Sequence, residues 1–290
     1  MTTRQVGGSV LVMSDVTFDE SLLRGLTAEQ REAVTSPHRQ LLIRATAGAG
    51  KTHVLTLRIQ RQIAEGEFDP DHILAMTFTR KAGEELRQRL YQSGMRGIKA
   101  GTFHRAAIDI VSDFRRDNNL KPLSIEPSRR KLLRDLATQM REAGDVALED
   151  WQIPKIEQEL SWALSQGFSG TTYGRRAART RRNSPLPGAQ MADVIDRYIG
   201  LCRARGVVDF DLLLSEAITI LRDERAALAS FRHRHRSLFV DEAQDMNPLQ
   251  FTLLRFMAGE DPTLFCVGDP NQSIYGFNGA DPSVLVELDQ

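Results

Sequence analysis

Two short stretches carry side chains that could act on phosphate. Ala45-Thr46-Ala47-Gly48-Ala49-Gly50-Lys51-Thr52 ends in a cation followed by a hydroxyl, after a run of small residues. It fits a phosphate-binding loop, with Ala45 where the first glycine of the general pattern would stand. Gly48 and Gly50 let the backbone close around phosphates with its N–H groups inward. A helix opening at this point adds the positive end of its dipole. Lys51 suits β- and γ-phosphate oxygens, and the Thr52 hydroxyl suits Mg²⁺. Far along the chain, Leu238-Phe239-Val240-Asp241-Glu242 runs from apolar residues into two acids. Asp241 suits the Mg²⁺ shell, and Glu242 suits the orientation and deprotonation of an attacking water. Each stretch by itself has a plainer reading, a tight strand-to-helix turn for the first and a helix N-cap for the second. Together they describe two halves of one site for phosphoryl chemistry.

Such residues work only if the fold brings them to one place. Four short apolar runs read as buried strands: Leu41–Ile43, Ile73–Phe78, Leu238–Val240 and Leu264–Val267. They do not alternate cleanly, as expected of a parallel sheet covered on both faces. Helical patterns follow three of them, at Thr52–Ala64, Lys81–Tyr91 and Leu249–Met257. Repeated strand, loop and helix predict an α/β fold with right-handed crossovers and a ligand crevice at the strand ends. From about Ala107 to Val207 the sequence turns Arg-rich and helix-prone. It is broken at Pro122, Pro127, Pro154 and Ser184-Pro185-Leu186-Pro187-Gly188. That stretch of roughly 100 residues is domain-sized. The phosphate-directed stretches flank it. The expected organisation is therefore a discontinuous α/β domain over 21–106 and 208–290, with an all-helical domain inserted at 107–207. Residues 1–20 read as a loosely ordered leader, with a short strand at Val10–Met13. The densest charge run, Arg175, Arg176, Arg179, Arg181 and Arg182, fits either a solvated face or a phosphate-contacting patch.

Composition narrows the class. A chain of 290 residues suits two domains, and 41% hydrophobic with 26% charged residues is a soluble globular balance. No apolar run approaches the roughly 18 residues of a membrane helix, so no membrane partner is expected. Cys202 and Cys266 are the only cysteines, which predicts reduced thiols and a cytoplasmic location. The formal net charge is zero, so only a local basic face could attract nucleic acid.

Read in order, the motifs resemble the UvrD/Rep family, the superfamily 1A DNA helicases, over most of residues 26–281. The phosphate loop has that family's Ala-x-Ala-Gly-x-Gly-Lys-Thr form, and Asp241-Glu242-x-Gln244-Asp245 matches its Mg²⁺ and base motif. The most specific match is Gly268-Asp269-Pro270-Asn271-Gln272-Ser273-Ile274-Tyr275-Gly276-Phe277. The resemblance implies a RecA-like P-loop domain that binds ATP and Mg²⁺ and a helical insertion of the 1B type. It implies that Lys51, Glu242 and Gln272 are catalytic, with Gln272 sensing the γ-phosphate. ATP would be held by Gln30, Ala47, Gly48, Ala49, Gly50, Lys51, Thr52 and His53, and the metal by Thr52 and Asp241. Gln30, in Leu26-Thr27-Ala28-Glu29-Gln30, would read the adenine edge, although a glutamine there is also an ordinary capping residue. The DNA track would include Phe78, Thr79 and Arg80, then Thr102 and His104 on backbone phosphate, and Tyr275 and Phe277 stacked on bases. Phe78 also suits the core, and His104 also suits a helix cap. Asp209-Phe210-Asp211-Leu212-Leu213 resembles the motif where the chain re-enters the α/β domain.

Three positions depart from the family pattern. Asn278 and His53 stand where arginine is usual, and Arg80 where asparagine is common. The resemblance implies that the arginine replaced by Asn278 links base stacking to the catalytic glutamate, so this departure touches the coupling of DNA to ATP. The set of Lys51, Thr52, Asp241, Glu242 and Gln272 points to a divergent branch rather than a dead enzyme. Family members continue into a second RecA-like lobe that supplies arginine fingers. The expected partners are thus single-stranded or tailed duplex DNA and such a lobe, in cis or in trans. Residues 1–290 alone are expected to be inactive or very slow. The expected activity is that of an ATP-dependent helicase with 3′ to 5′ polarity. The alternatives are a helicase-like subunit of a helicase–nuclease complex and a non-catalytic scaffold for ATP and DNA.

Overall fold

The computed structural model describes residues 5–6, 9–10, 16, 18–46, 48–145, 148–179, 182–272 and 288. Ala47, Arg181, Tyr275, Phe277, Asn278 and the Leu11–Met13 part of the expected N-terminal strand lie outside them. The chain packs as two units. One comprises Met1–Thr102, Arg232–Ala243 and Glu260–Asp269, the other Phe103–Phe231, Gln244–Gly259 and Pro270–Gln290.

The first unit is built on a five-stranded parallel sheet. Its strands are β1 (Gln40–Arg44), β2 (Ile73–Thr77), β3 (Lys99–Thr102), β4 (Ser237–Val240) and β5 (Thr263–Gly268), in the order β1-β5-β4-β2-β3. Arg44 lies opposite Gly268, Val240 opposite both Met76 and Cys266, and Thr77 opposite Thr102. All five carboxyl ends therefore face one edge. Every residue of β2 and β4 is buried, which is why both read as unbroken apolar runs rather than alternating ones. Helices α1 (Ala28–Thr35), α2 (Lys51–Ala64) and α3 (Arg80–Gln92) belong to this unit. Leu55, Ile59, Ile73, Leu86, Leu90, Phe239 and Phe265 lie in its core.

β3 was not among the strands expected from the sequence. Lys-Ala-Gly-Thr has no apolar run, and its place comes from pairing with β2 and from α3 lying against it. That approach needs glycine: a Cβ on Gly83 would meet the Gly101 Cα at 3.2 Å.

The second unit is helical, with α4 (Phe103–Asp117), α5 (Arg129–Glu142), α6 (Ile153–Ser165), α7 (Gly170–Arg179), α8 (Gly188–Arg205), α9 (Phe210–Asp223) and α11 (Pro248–Ala258). Helix α10 (Arg225–Arg234) runs from this unit into the first. Two of the prolines sit at helix starts, Pro154 in the first turn of α6 and Pro187 as the N-cap of α8. There the missing N–H costs nothing. Leu133, Leu136, Ile156, Leu160, Tyr173 and Tyr198 fill the core. A two-residue parallel pairing, Ser124–Ile125 with Val207–Val208, interrupts the helical pattern.

One buried cation locks the first unit behind the phosphate loop. Arg58, on α2, is 4% exposed. Its guanidinium donates to the carbonyls of Ala33 at 2.9 Å, Ser36 at 3.1 Å and His38 at 2.7 Å, and lies 5.1 Å over the Phe265 ring. It thus ties the end of α1 to α2. Arg58→Met should keep the volume but leave those carbonyls unpaired, lowering stability by about 2–3 kcal/mol. A urea denaturation midpoint equal to that of the unmodified chain would show that Arg58 does not act as this tie.

Candidate functional site

The loop after β1 is shaped by its glycines. Gly48 and Gly50 have φ of +74° and +73°, the left-handed region where a side chain is strained. A Cβ on Gly50 would also stand 3.1 Å from Gln30 Nε2. Helices α1, α3, α5, α9 and α11 begin with a side-chain cap from Thr27, Thr79, Ser128, Asp209 and Asn247. Helix α2 begins at Gly50 with no side-chain cap, as α6 and α8 also do.

The two motifs found in the sequence meet here. Thr52 Oγ1 donates to Asp241 Oδ2 at 2.7 Å. The Lys51 ammonium lies 3.8 Å from Glu242 Oε2 and 3.3 Å from the Ala45 carbonyl, with its side chain only 7% exposed. The ladder is continuous at this edge: the Ala45 N–H donates to the Gly268 carbonyl at 3.0 Å and the Asp241 N–H to the Met76 carbonyl at 2.9 Å. Burial raises the Asp241 carboxyl above its ordinary range, opposed by the Thr52 hydrogen bond. A bound divalent cation would favour the charged form. Two adjacent hard oxygens, Thr52 Oγ1 and Asp241 Oδ2, fit Mg²⁺, which takes few protein ligands and completes its shell with phosphates and water.

Glu242 is held under strain. Its φ is +54°, and Asp241 Oδ1 accepts its N–H at 3.0 Å. For a non-glycine residue that conformation costs roughly 1–2 kcal/mol.

Gln30 both caps and braces. Its Oε1 accepts the Thr27 N–H at 2.9 Å in a capping box, and its Nε2 donates to the Ala49 carbonyl at 2.8 Å. The capping role and contact with the loop are thus combined in one amide. His53 is exposed on the first turn of α2.

The other candidates divide by position. Phe78 is half-buried at the end of β2, and exposed Thr79 caps α3 by accepting the Ala82 N–H at 3.1 Å. Arg80 is exposed beside it, and Thr102 ends β3. His104 stands in the first turn of α4 in the second unit, with Phe210 edge-on at 5.5 Å. Gln272 closes a 3₁₀ turn over Pro270–Gln272. Asp269 is 2% exposed and directly follows the carboxyl end of β5. The arginine run separates: Arg182 pairs with Glu159 at 2.9 Å and covers the Trp162 ring at 4.2 Å, while Arg175, Arg176 and Arg179 are exposed on α7.

Comparison with known proteins now decides the family. The family described as UvrD/REP helicase N-terminal domain matches residues 26–290. The chain belongs to that family. It is 34% identical over 283 residues to the ATP-dependent DNA helicase UvrD2 of Mycobacterium tuberculosis, covering 93% of this chain and 40% of that protein. It is 33% identical over 271 residues to DNA helicase II of Escherichia coli, covering 89% of this chain and 35% of that protein. With the putative ATP-dependent DNA helicase YjcD of Bacillus subtilis the identity is 30% over 295 residues, 97% of this chain and 37% of that protein. The chain thus spans well under half the length of these relatives. Among the described residues no helix is long and apolar enough to cross a membrane.

The strain at Glu242 can be tested without nucleotide. In a Lys51→Met background, where no buried ammonium loses its carboxylate, Glu242→Gly removes the Cβ from a left-handed position but frees the unfolded chain, so a net gain of up to about 1 kcal/mol is expected. A urea midpoint well below that of the Lys51→Met chain would mean that Glu242 is held there by favourable contacts rather than against its own backbone.

Proposed function

We propose that this chain is the ATP-binding part of an ATP-dependent DNA helicase that hydrolyses ATP with Mg²⁺ and moves 3′ to 5′ on single-stranded DNA. The reading is carried by one observation: Thr52 and Asp241 are joined at 2.7 Å on the sheet edge where Lys51 and Glu242 also lie. The triphosphate would lie on Gly48–Thr52, taking N–H donors from the uncapped start of α2. Lys51 would exchange its contact with Glu242 for phosphate oxygens. Thr52 and Asp241 would hold Mg²⁺, which neutralises charge on those oxygens. Glu242, released from Lys51, would orient a water and accept its proton. Gln30 would read adenine while bracing the Ala49 carbonyl, Ala47 and His53 would border the nucleotide, and Gln272 would sense the γ-phosphate.

On the DNA side, Phe78, Tyr275 and Phe277 would stack on bases, and Thr79, Arg80, Thr102 and His104 would hold the backbone. The substrate would be single-stranded DNA or a duplex with a single-stranded tail. In this organisation the α/β domain covers 21–106 and 208–290 and the insertion 107–207. A second RecA-like lobe, in cis or in trans, completes the motor, and its place is the cytoplasm. A scaffold that never hydrolyses ATP fits less well, because it would have no use for a glutamate held in strained backbone beside Lys51.

In the two-lobed assembly, Lys51→Ala should weaken nucleotide binding and abolish turnover. Glu242→Gln should keep ATP binding and lose hydrolysis, since an amide cannot take the proton. DNA-stimulated ATPase rates that match between Glu242→Gln and the parent would remove Glu242 from the mechanism.

Residues 1–290 by themselves should bind ATP–Mg²⁺ weakly and hydrolyse it slowly, since an arginine finger contributes roughly 10³ to 10⁵ in rate. Adding the second lobe should restore hydrolysis and unwinding together. Robust unwinding of a 3′-tailed duplex by residues 1–290 alone would overturn the two-lobe requirement.

A further inference from the structure

The segment Asp209-Phe210-Asp211 opens α9, and one side chain grips it from both sides. Arg129, the first residue of α5, donates from Nε to Asp209 Oδ2 at 2.7 Å and from Nη2 to Asp211 Oδ2 at 2.6 Å. Its guanidinium therefore holds the residues directly before and after Phe210. Tyr198, on α8, donates its hydroxyl to the same Asp209 oxygen at 2.7 Å, and the Leu212 N–H donates to the other at 2.8 Å. The cluster is dry: the side chains of Arg129, Asp209 and Asp211 are 12%, 3% and 14% exposed.

An apolar contact would join these helices with less desolvation. The guanidinium adds direction, because its planar fork binds two acceptors at set angles. The residue so directed is Phe210. Its ring meets the His104 imidazole edge to face, with centroids 5.5 Å apart and planes at 88°. Helix α4, which carries His104, lies against α9.

We propose that Arg129, by clamping Asp209 and Asp211, aims the Phe210 ring so that it holds the His104 imidazole in the orientation that meets a DNA phosphate. Arg129 and Phe210 are then positioning residues that touch no DNA. This rests on His104 as a phosphate contact, as proposed above. It also ties that contact to α5 and α8, whose Arg129 and Tyr198 both donate to Asp209.

The test is a fluorescence-anisotropy titration of a labelled oligothymidylate with the full chain. His104→Ala and Phe210→Leu should each weaken binding roughly 3- to 10-fold, as for one lost hydrogen bond. The double variant should bind no worse than His104→Ala, because both changes remove one interaction. Without DNA, the imidazole nitrogen resonances of His104 should shift in Phe210→Leu. Arg129→Lys keeps the charge but cannot bridge both carboxylates, and should show part of the Phe210→Leu loss. If Phe210→Leu does not fold, Phe210→Met, closer to the original volume, takes its place. Losses that add in the double variant, or parent affinity in Phe210→Leu, would overturn the positioning role while leaving His104 as a contact. Parent affinity in His104→Ala would remove the DNA contact itself, and the proposal with it.

Discussion

The hydrogen bond from Thr52 Oγ1 to Asp241 Oδ2 joins residues 189 positions apart in the chain. It exists because the strands before each motif are parallel and in register. β1 pairs with β5 and β5 with β4, so the loop after β1, Asp269 after β5 and Asp241 after β4 all emerge at one edge. β2 and β3 extend the same edge to Phe78 and Thr102. In an antiparallel arrangement alternate motifs would emerge at opposite edges, and the acids could not face the loop. Everything proposed about nucleotide chemistry depends on that shared direction.

The edge is also where the fold accepts local costs. Lys51, Asp241 and Asp269 are charged side chains almost wholly withdrawn from water, at 8%, 5% and 2% exposed. Burying such groups is unfavourable unless each has a partner. Lys51 is answered by Glu242 and the Ala45 carbonyl, and Asp241 by Thr52 and the Glu242 N–H. Glu242 adds a left-handed backbone to the same few residues. Strain and buried charge thus collect in the same few residues at one sheet edge.

The second unit uses buried charge differently. Glu159 accepts the Tyr173 hydroxyl at 2.7 Å and pairs with Arg182, while Asp209 and Asp211 share Arg129. Both clusters lie among apolar helices, where breaking one partner would strand the others. Glu159 and Asp209 each accept from more than one side chain, which fixes their orientation within the helical core. Arg182 shows how this reassigns a residue: counted in a basic run, it proves to be a bracket on Glu159 and Trp162.

The local patterns of the sequence determined most of the first unit. Unbroken apolar runs placed four of the five strands within a residue or two; β2 and β4 are buried throughout, whereas β1 is only partly buried. The glycine spacing and the Lys51-Thr52 ending placed the loop, and the acids after Val240 placed the other half of the site. β3 stayed hidden because Lys-Ala-Gly-Thr has no apolar signature; pairing with β2 and the close approach of Gly83 make it a strand. Tertiary structure alone decided that Gln30 braces the loop through Ala49, that Glu242 sits in a left-handed conformation, and that Arg129 holds both neighbours of Phe210. Each of these joins residues distant in the chain or depends on backbone geometry that packing imposes. Residue type and spacing report what a segment can do locally, whereas partners for buried charge are chosen only when the segments meet.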